Sequence, residues 1–328
     1  MMPEGPEVKV HAESLDARLA GTRLLSARIV SGRYLGDGDT PGRGAPPANW
    51  SALVDALPAR VERVNSHAKF MWFELSTDEA APARRDLTLW STLGLAGAWT
   101  RARGAHTRVE FDVDDDVGLL CFADMRNFGT LTVATDRAAL DAKLARLGPS
   151  WLRALEGAGD GDGGAGLSLD AFRALIARQC QSARGRAVPV AKLLMDQSKS
   201  AGVGNYILCE ALYAARVWPW ARCGALAADE WDGLHAAVDA VVRASYFSQR
   251  DAAARGRARD AGHLSVTRGE FGFELCVYRR ARTPDGAAVR RDDGPHGRGV
   301  YWVPEVQTCG LPPPGTSEDD QHLKNPYA

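Results

Sequence analysis

Between Thr22 and about Thr135 the apolar residues come in short runs split by Gly-, Pro- and Asp-rich turns, and this pattern most constrains the fold. KFMWFEL (Lys69 to Leu75), DLTLWSTL (Asp86 to Leu93), RVEFDV (Arg108 to Val113) and GLLCFAD (Gly118 to Asp124) have strand length. So many short strands in series predict a β-sandwich. A helix precedes them: Pro6 suits a first helical position, Glu7 complements the positive end of the helix dipole, and Gly21 ends the run. Val8, Ala12, Leu15 and Leu19 lie on one face of it.

Helical periodicity returns at Ser168. Leu169, Phe172 and Ile176 form one stripe, Gly202-Val203-Gly204 separates two further helices, and Leu226 to Tyr246 carries Leu234, Val238, Val241 and Val242 on one face. Short strands resume over Thr267 to Gln307. The expected order is therefore an α+β chain: an N-terminal β-sandwich domain (1–150), a linker (151–167), a helical domain (168–262), a β-hairpin segment (263–310) and a disordered tail (311–328). The patch GAGDGDGGAG (Gly157 to Gly166) opens like a calcium loop. Counted from Asp160, the sixth and twelfth positions hold Ala165 and Ala171 instead of Gly and Glu, so it reads as linker.

Composition excludes several classes. With 328 residues, net charge −1 and 45% apolar content, the chain has no global electrostatic signature for nucleic acid. Val241 to Gly310 is mildly basic, with 12 Arg against 8 Asp plus Glu. Six scattered cysteines with no CxxC pair argue against a disulfide framework or zinc ribbon and for reduced thiols inside a cell. No apolar run approaches the roughly 18 residues of a membrane span.

Four constellations could carry chemistry. Pro3-Glu4-Gly5-Pro6-Glu7 could supply a terminal amine, whose reference pKa lies about two to three units below that of lysine, beside a carboxylate proton donor. The same residues also make an ordinary Pro/Glu helix start. Lys69 opens a strand after Ser66-His67-Ala68, as any exposed lysine could. Gly202-Val203-Gly204-Asn205 before a helix suits a phosphate, or Asn205 is simply a cap. Asp124-Met125-Arg126-Asn127-Phe128-Gly129, together with Leu95, offers apolar wedges and an arginine of the kind used to fill a gap in a base stack, or ordinary loop residues.

Taken in order along Pro3 to Gln307, these stretches resemble the formamidopyrimidine-DNA glycosylase and endonuclease VIII family. MPEGPEV (Met2 to Val8) is similar to the family start in its endonuclease VIII form. DQSKSAGVGNYILCEAL (Asp196 to Leu212) resembles its helix-two-turns-helix, DMRNFGT (Asp124 to Thr130) its intercalation loop, and HGRGVYWVPEVQ (His296 to Gln307) its finger hairpin.

The resemblance implies a bifunctional DNA glycosylase/AP lyase of base excision repair. Pro3 would be the Schiff-base nucleophile and Glu4 the proton donor. Lys69 would contact phosphate and assist elimination, and Asn205, beside Gly204, and Arg298 would bind phosphate. Leu95, Arg126 and Phe128 would fill the void, with Arg108 a further phosphate contact. His11 and His67 receive no role. Where zinc-binding members place cysteines, this chain has Val303-Pro304-Glu305-Val306, and Arg279 to Val289 has none, so a zincless finger with no metal or cofactor is expected. Its partner would be double-stranded DNA carrying oxidised pyrimidines, formamidopyrimidines, hydantoins or abasic sites. A monomer working wherever the genome is, with no membrane association, is expected.

A lesion-facing mobile loop is expected within Ser248 to Gly262. Because an acylated proline nitrogen has no lone pair to offer, the active chain is expected to begin at Pro3. The competing readings are a non-catalytic DNA-binding protein on the same fold, which has no need of Pro3, Glu4 and Lys69 together, and a monofunctional hydrolytic glycosylase, which has no need of the proline.

Overall fold

The computed structural model describes residues 3–35, 44–77, 86–114, 117–152, 166–259 and 274–312. The chain forms two compact units, one of residues 1–146 with 245–272 and one of 147–244 with 273–328.

In the first unit, helix α1 (Gly5–Leu19) buries the stripe read from sequence: Val8, Ala12, Leu15 and Leu19 are all at most 2% exposed. Burial on that scale stabilises by about 1.5–3 kcal/mol for each larger side chain. The helix stops where Gly21 turns to φ +92°, a conformation a Cβ would strain, and its N–H donates to Val61 O at 2.8 Å.

Eight strands follow: β1 (Arg23–Ile29), β2 (Ala59–His67), β3 (Phe70–Thr77), β4 (Asp86–Thr92), β5 (Gly97–Thr100), β6 (Thr107–Val113), β7 (Gly118–Asp124) and β8 (Thr130–Ala134). They are hydrogen-bonded in the order β5-β7-β6-β1-β2-β3-β4-β8, every pair antiparallel. The two arms of this sheet face each other across one core. Trp99 of β5, fully buried, sits 4.8 Å from the Phe73 ring of β3 and 5.3 Å from Phe122 of β7, and its indole N–H donates to Ser91 of β4. That closure is the sandwich expected from the strand pattern. His11 is a satisfied core histidine: its Nε2 accepts the Trp99 backbone N–H at 2.9 Å. Two short helices, α2 (Trp50–Val54) and α3 (Arg137–Ala145), complete the connections, α3 capped by Asp136.

In the second unit, α4 (Leu169–Gln179) starts at Ser168, whose hydroxyl accepts the Ala171 N–H at 3.2 Å. α5 (Ala183–Arg186), α6 (Val190–Met195) and α7 (Asn205–Ala214) follow, and α8 (Ala228–Arg259) gives residues to both units. The core includes Phe172, packed on Trp151, Trp231 and His235. Strands β9 (Arg290–Asp293) and β10 (Gly299–Trp302) form an antiparallel hairpin, in the segment expected to be the finger.

Two expectations need correction. The linker expected over 151–167 begins and ends in core: Trp151, Leu152 and Leu167 are 1%, 1% and 2% exposed, while 153–165 lie outside the described residues. The mobile loop expected from Ser248 is helical as far as Arg259, and 260–262 lie outside the described residues. Alanine and arginine are among the strongest helix formers, and they outweigh the single Gly256 in that stretch. Most of the tail expected at 311–328 also falls outside the described residues. Among the described residues no helix is long and apolar enough to cross a membrane.

Candidate functional site

The N-terminal constellation is held by a capping box. Glu4, only 2% exposed, is the N-cap of α1, and its backbone N–H donates to Glu7 Oε2 at 2.8 Å while Glu7 returns its own N–H to the Glu4 side chain. The chain is thus fixed immediately after Pro3, which is half-buried. Glu7 is gripped in turn by Gln249 of α8, whose amide N–H groups donate to Glu7 Oε1 and to Ser245 Oγ. Nearly two turns along α1, Tyr246 donates to Glu13, and burial beside that carboxylate pushes the Tyr246 phenol up. Sequence reasoning passed over Gln249 and Ser245. They lie more than 200 residues from Glu7, and nothing in the local pattern of α8 marks them.

Lys69 lies in the two-residue turn between β2 and β3, after Ala68 at φ +56°, with His67 and Phe70 paired across the hairpin. It is half-buried between buried Ala68 and Phe70.

The loop Asp124 to Gly129 is folded around one carboxylate. Asp124, 1% exposed, accepts the Arg126 N–H at 3.0 Å and the Gly129 N–H at 2.6 Å, and Asn127 between them takes φ +55°. Arg33 donates to the carbonyls of Asn127 and Gly129. Arg108, expected as a phosphate contact, donates from Nε to the Asp124 carbonyl at 2.8 Å and from Nη1 to Ser31 Oγ at 2.9 Å, two bonds that brace the loop. The turn bearing Leu95 lies against this loop: a Cβ on Gly94 would meet the backbone of Phe128 and Gly129 at 2.6 Å. The structure therefore brings Leu95 and Phe128 onto adjoining loops. Phe128 is 58% and Met125 54% exposed, Arg126 is exposed, and Leu95 is half-buried. Met125 is the residue of this loop to which the sequence pattern assigned no role.

In the second unit Gln197 clasps the two turns before α7. Its amide donates to the carbonyls of Met195 and Val203 and accepts the Gly202 N–H, all at 3.0 Å. Gly204 is the N-cap of α7 and Asn205 its first residue, at the positive end of the helix dipole. Asn205 is 6% exposed; its Nδ2 donates to Gly299 O and its Oδ1 accepts from His296 Nε2, both at 2.8 Å. Burial, aided by the neighbouring Arg298 charge, pulls His296 down to about 4, so the ring is neutral at pH 7. With the proton on Nε2, Nδ1 is a buried acceptor with no partner among the described residues. Arg298, two residues on, is exposed.

Glu210 fastens the start of the finger segment. Its carboxylate, 4% exposed, accepts the backbone N–H groups of Cys276, Val277 and Tyr278 at 2.7–3.0 Å. Gln307, fully buried, closes the far end by accepting from Val303 N and donating to Val217 O. No group of three or more His, Cys, Asp or Glu side chains among the described residues could hold a metal, and the six cysteines are free thiols.

A protein from Halorhodospira halophila described as formamidopyrimidine-DNA glycosylase is 30% identical over 311 residues, covering 93% of this chain and all of its own. The chain belongs to the formamidopyrimidine-DNA glycosylase family. The profile of that family's N-terminal domain matches residues 2–131. The family member of Exiguobacterium sibiricum is 28% identical over 325 residues, covering 94% of this chain and all of its own. Solved structures agree on the fold. Lactococcus lactis Fpg in complex with abasic-site DNA superposes with TM-score 0.70 at 19% identity, over 93% of this chain and all of that one. Thermus thermophilus MutM (Fpg) gives 0.67 at 24%, over 93% and 98%.

Proposed function

We propose that the chain is a DNA glycosylase and AP lyase of base excision repair that acts on duplex DNA bearing oxidised bases or abasic sites. The observation that carries this reading is the fixed start of α1, where a buried Glu4 held in a capping box directly follows Pro3. A capping carboxylate by itself stabilises a helix start, but one buried directly after Pro3 also sets a proton donor beside the proline, and imine chemistry needs both groups.

With its nitrogen free as a secondary amine, Pro3 attacks C1′ of a flipped nucleotide. The N–C1′ bond forms, the glycosidic bond breaks, and the base leaves with the electron pair and a proton from Glu4. Loss of the proline N–H proton and cleavage of the C1′–O4′ bond, with a proton delivered to O4′, then open the sugar ring to an iminium, which acidifies C2′. Loss of that proton expels the 3′ phosphate, and a second elimination expels the 5′ phosphate. Lys69, on the β2–β3 turn, is assigned to phosphate contact and elimination. Leu95, Phe128 and Arg126 fill the vacated stack, where unstacking costs a few kcal/mol. Asn205 holds a phosphate through its second Nδ2 hydrogen at the α7 N-terminus, with Gly204 letting the backbone approach and Arg298 adding charge. Arg108 serves by bracing the loop. The finger is proposed to need no metal, since Val303-Pro304-Glu305-Val306 offers no thiolate, and the proposed substrate class is oxidised pyrimidines, formamidopyrimidines and hydantoins.

Borohydride reduction of protein beginning at Pro3, mixed with abasic duplex, tests the reading. The expected result is a covalent adduct whose peptide map places the cross-link on Pro3. A cross-link on Lys69 transfers the nucleophile to that residue. Absence of any adduct leaves either a hydrolytic glycosylase or a pure binding protein, which base release from an oxidised duplex then separates.

A further inference from the structure

Two adjoining cavities lie wholly within the second unit, of about 650 and 720 Å³, and share Gln179, Arg184, Val188 and Lys199 in their walls. Together they make one open groove, with Arg178 at one end and His296 at the other. Its charged lining is Arg178, Arg184, Lys192 and Lys199, against the single carboxylate of Asp196.

Four other arginines of the unit are held in ion pairs, and among the described residues the groove cations are not. Arg173 pairs with Asp232, Arg243 with Asp239, Arg280 with Glu274 and Arg290 with Asp292. The groove cations have no carboxylate within ion-pairing distance among the described residues, and all four are exposed. Asp196 forms no ion pair with any of them among the described residues, its Oδ1 accepting from the N–H and hydroxyl of Ser198, and one carboxylate against four cations leaves the lining net positive. Four like charges gathered on one concave wall repel one another unless an anion lies among them. The groove is too open to enclose a small molecule, and its row of cations suits an extended polyanion.

His296 sets the direction. It lines the groove and hydrogen-bonds Asn205, so the groove begins beside the phosphate position assigned to α7 and leads away from it across α6, α5 and the end of α4. We infer that this groove is an auxiliary track for the phosphodiester backbone of duplex DNA flanking the lesion, distinct from the contacts assigned to Asn205 and Arg298. This rests on the proposed action on DNA. Arg178, Arg184, Lys192 and Lys199 bind phosphates without reading bases, so the groove adds affinity and salt dependence, not lesion choice.

The test compares wild type with Arg184→Gln/Lys199→Gln, both residues being exposed and shared by the two cavities, on abasic-analogue duplexes of two lengths. On a duplex extending well past the lesion, the slope of log affinity against log salt should be shallower by about 0.9 for each phosphate no longer neutralised, and so by about 1.8 for the pair. On a duplex trimmed to the few base pairs around the lesion, the two proteins should give the same slope. Single-turnover excision at saturating enzyme should be unchanged, and Arg184→Lys/Lys199→Arg should restore the long-duplex slope. Equal slopes for wild type and variant on the long duplex overturn the inference, as does an equal loss on both lengths. A wild type that binds and cleaves neither duplex overturns the functional reading itself, and this inference with it.

Discussion

His296 Nε2 donates to Asn205 Oδ1 at 2.8 Å, joining the finger hairpin to the first residue of α7. A neutral ring makes that bond with Nε2 protonated, and burial together with Arg298 lowers the ring to about 4 from its ordinary 6.5. Between those values the unfolded chain binds the proton and the folded chain does not, so stability rises with pH across the window. The contribution is fully present above about pH 6.5 and is lost as pH falls toward 4. Replacing His296 with Gln keeps a side-chain N–H for Asn205 but removes the titration. Urea unfolding should show wild type losing more stability than His296→Gln between pH 7 and pH 4.5. Parallel losses in the two proteins would place the low pKa elsewhere.

Glu210 makes the strongest single demand on the second unit. Its buried carboxylate serves three backbone N–H donors, and Glu210→Gln turns one acceptor oxygen into a donor facing other donors. Leaving a buried donor unpaired costs about 1–3 kcal/mol, more where the missing partner was charged. The expected loss in chemical denaturation is about 2–3 kcal/mol with an unchanged m-value. A loss under about 0.5 kcal/mol would mean that the 276–278 segment does not depend on this anchor.

The parts legible in the sequence were those encoded by local periodicity. The α1 stripe, the strands of the sandwich, the Ser168 cap and the turn before Asn205 each repeat a rule within a few residues, and each formed where that rule put it. The parts that were not legible depend on partners far apart in sequence. Gln249 meets Glu7 across 242 positions, His296 meets Asn205 across 91, and Glu210 reaches 66 to 68 residues to the finger segment. Each is a lone polar residue whose burial alone gives it meaning. The helix through Arg259 was missed for another reason. Gly256 and the arginines read locally as a mobile surface loop, but the summed helix propensity of the four alanines from Ala252 to Ala258 outweighs them.

Gln249 carries a prediction about the N-terminus. It is 1% exposed and supplies Glu7 with the donor that keeps the capping box oriented. Gln249→Leu preserves volume and removes the donor, leaving a buried carboxylate oxygen short of a partner. Borohydride trapping on abasic duplex should slow about tenfold, worth about 1.4 kcal/mol of barrier, while duplex affinity stays within about twofold. If trapping and affinity fell together, the side chain would be supporting the fold as a whole rather than the start of α1.

The exposed apolar loop gives the sharpest separation of function from stability. Phe128 is 58% exposed and Met125 54%, and a side chain so little buried contributes almost nothing to folding. Their loop keeps its shape through Asp124, Arg33 and Arg108, none of which touches the Phe128 ring in any hydrogen bond or ring contact. Phe128→Ala should therefore leave the thermal midpoint and the denaturant midpoint unchanged within about 0.5 kcal/mol. Its effect should appear only where a base must be taken out of a stack. Excision from fully paired duplex should slow by about ten- to a hundredfold, and cleavage at an abasic site or in single-stranded DNA should be nearly untouched, because there the few kcal/mol of unstacking is already absent. Asp124→Ala is the contrasting variant. It removes the carboxylate that folds the loop, so it should lower stability and slow every substrate. A Phe128→Ala protein that lost activity equally on paired, abasic and single-stranded substrates while melting normally would show that the ring acts in the chemistry and not as a wedge.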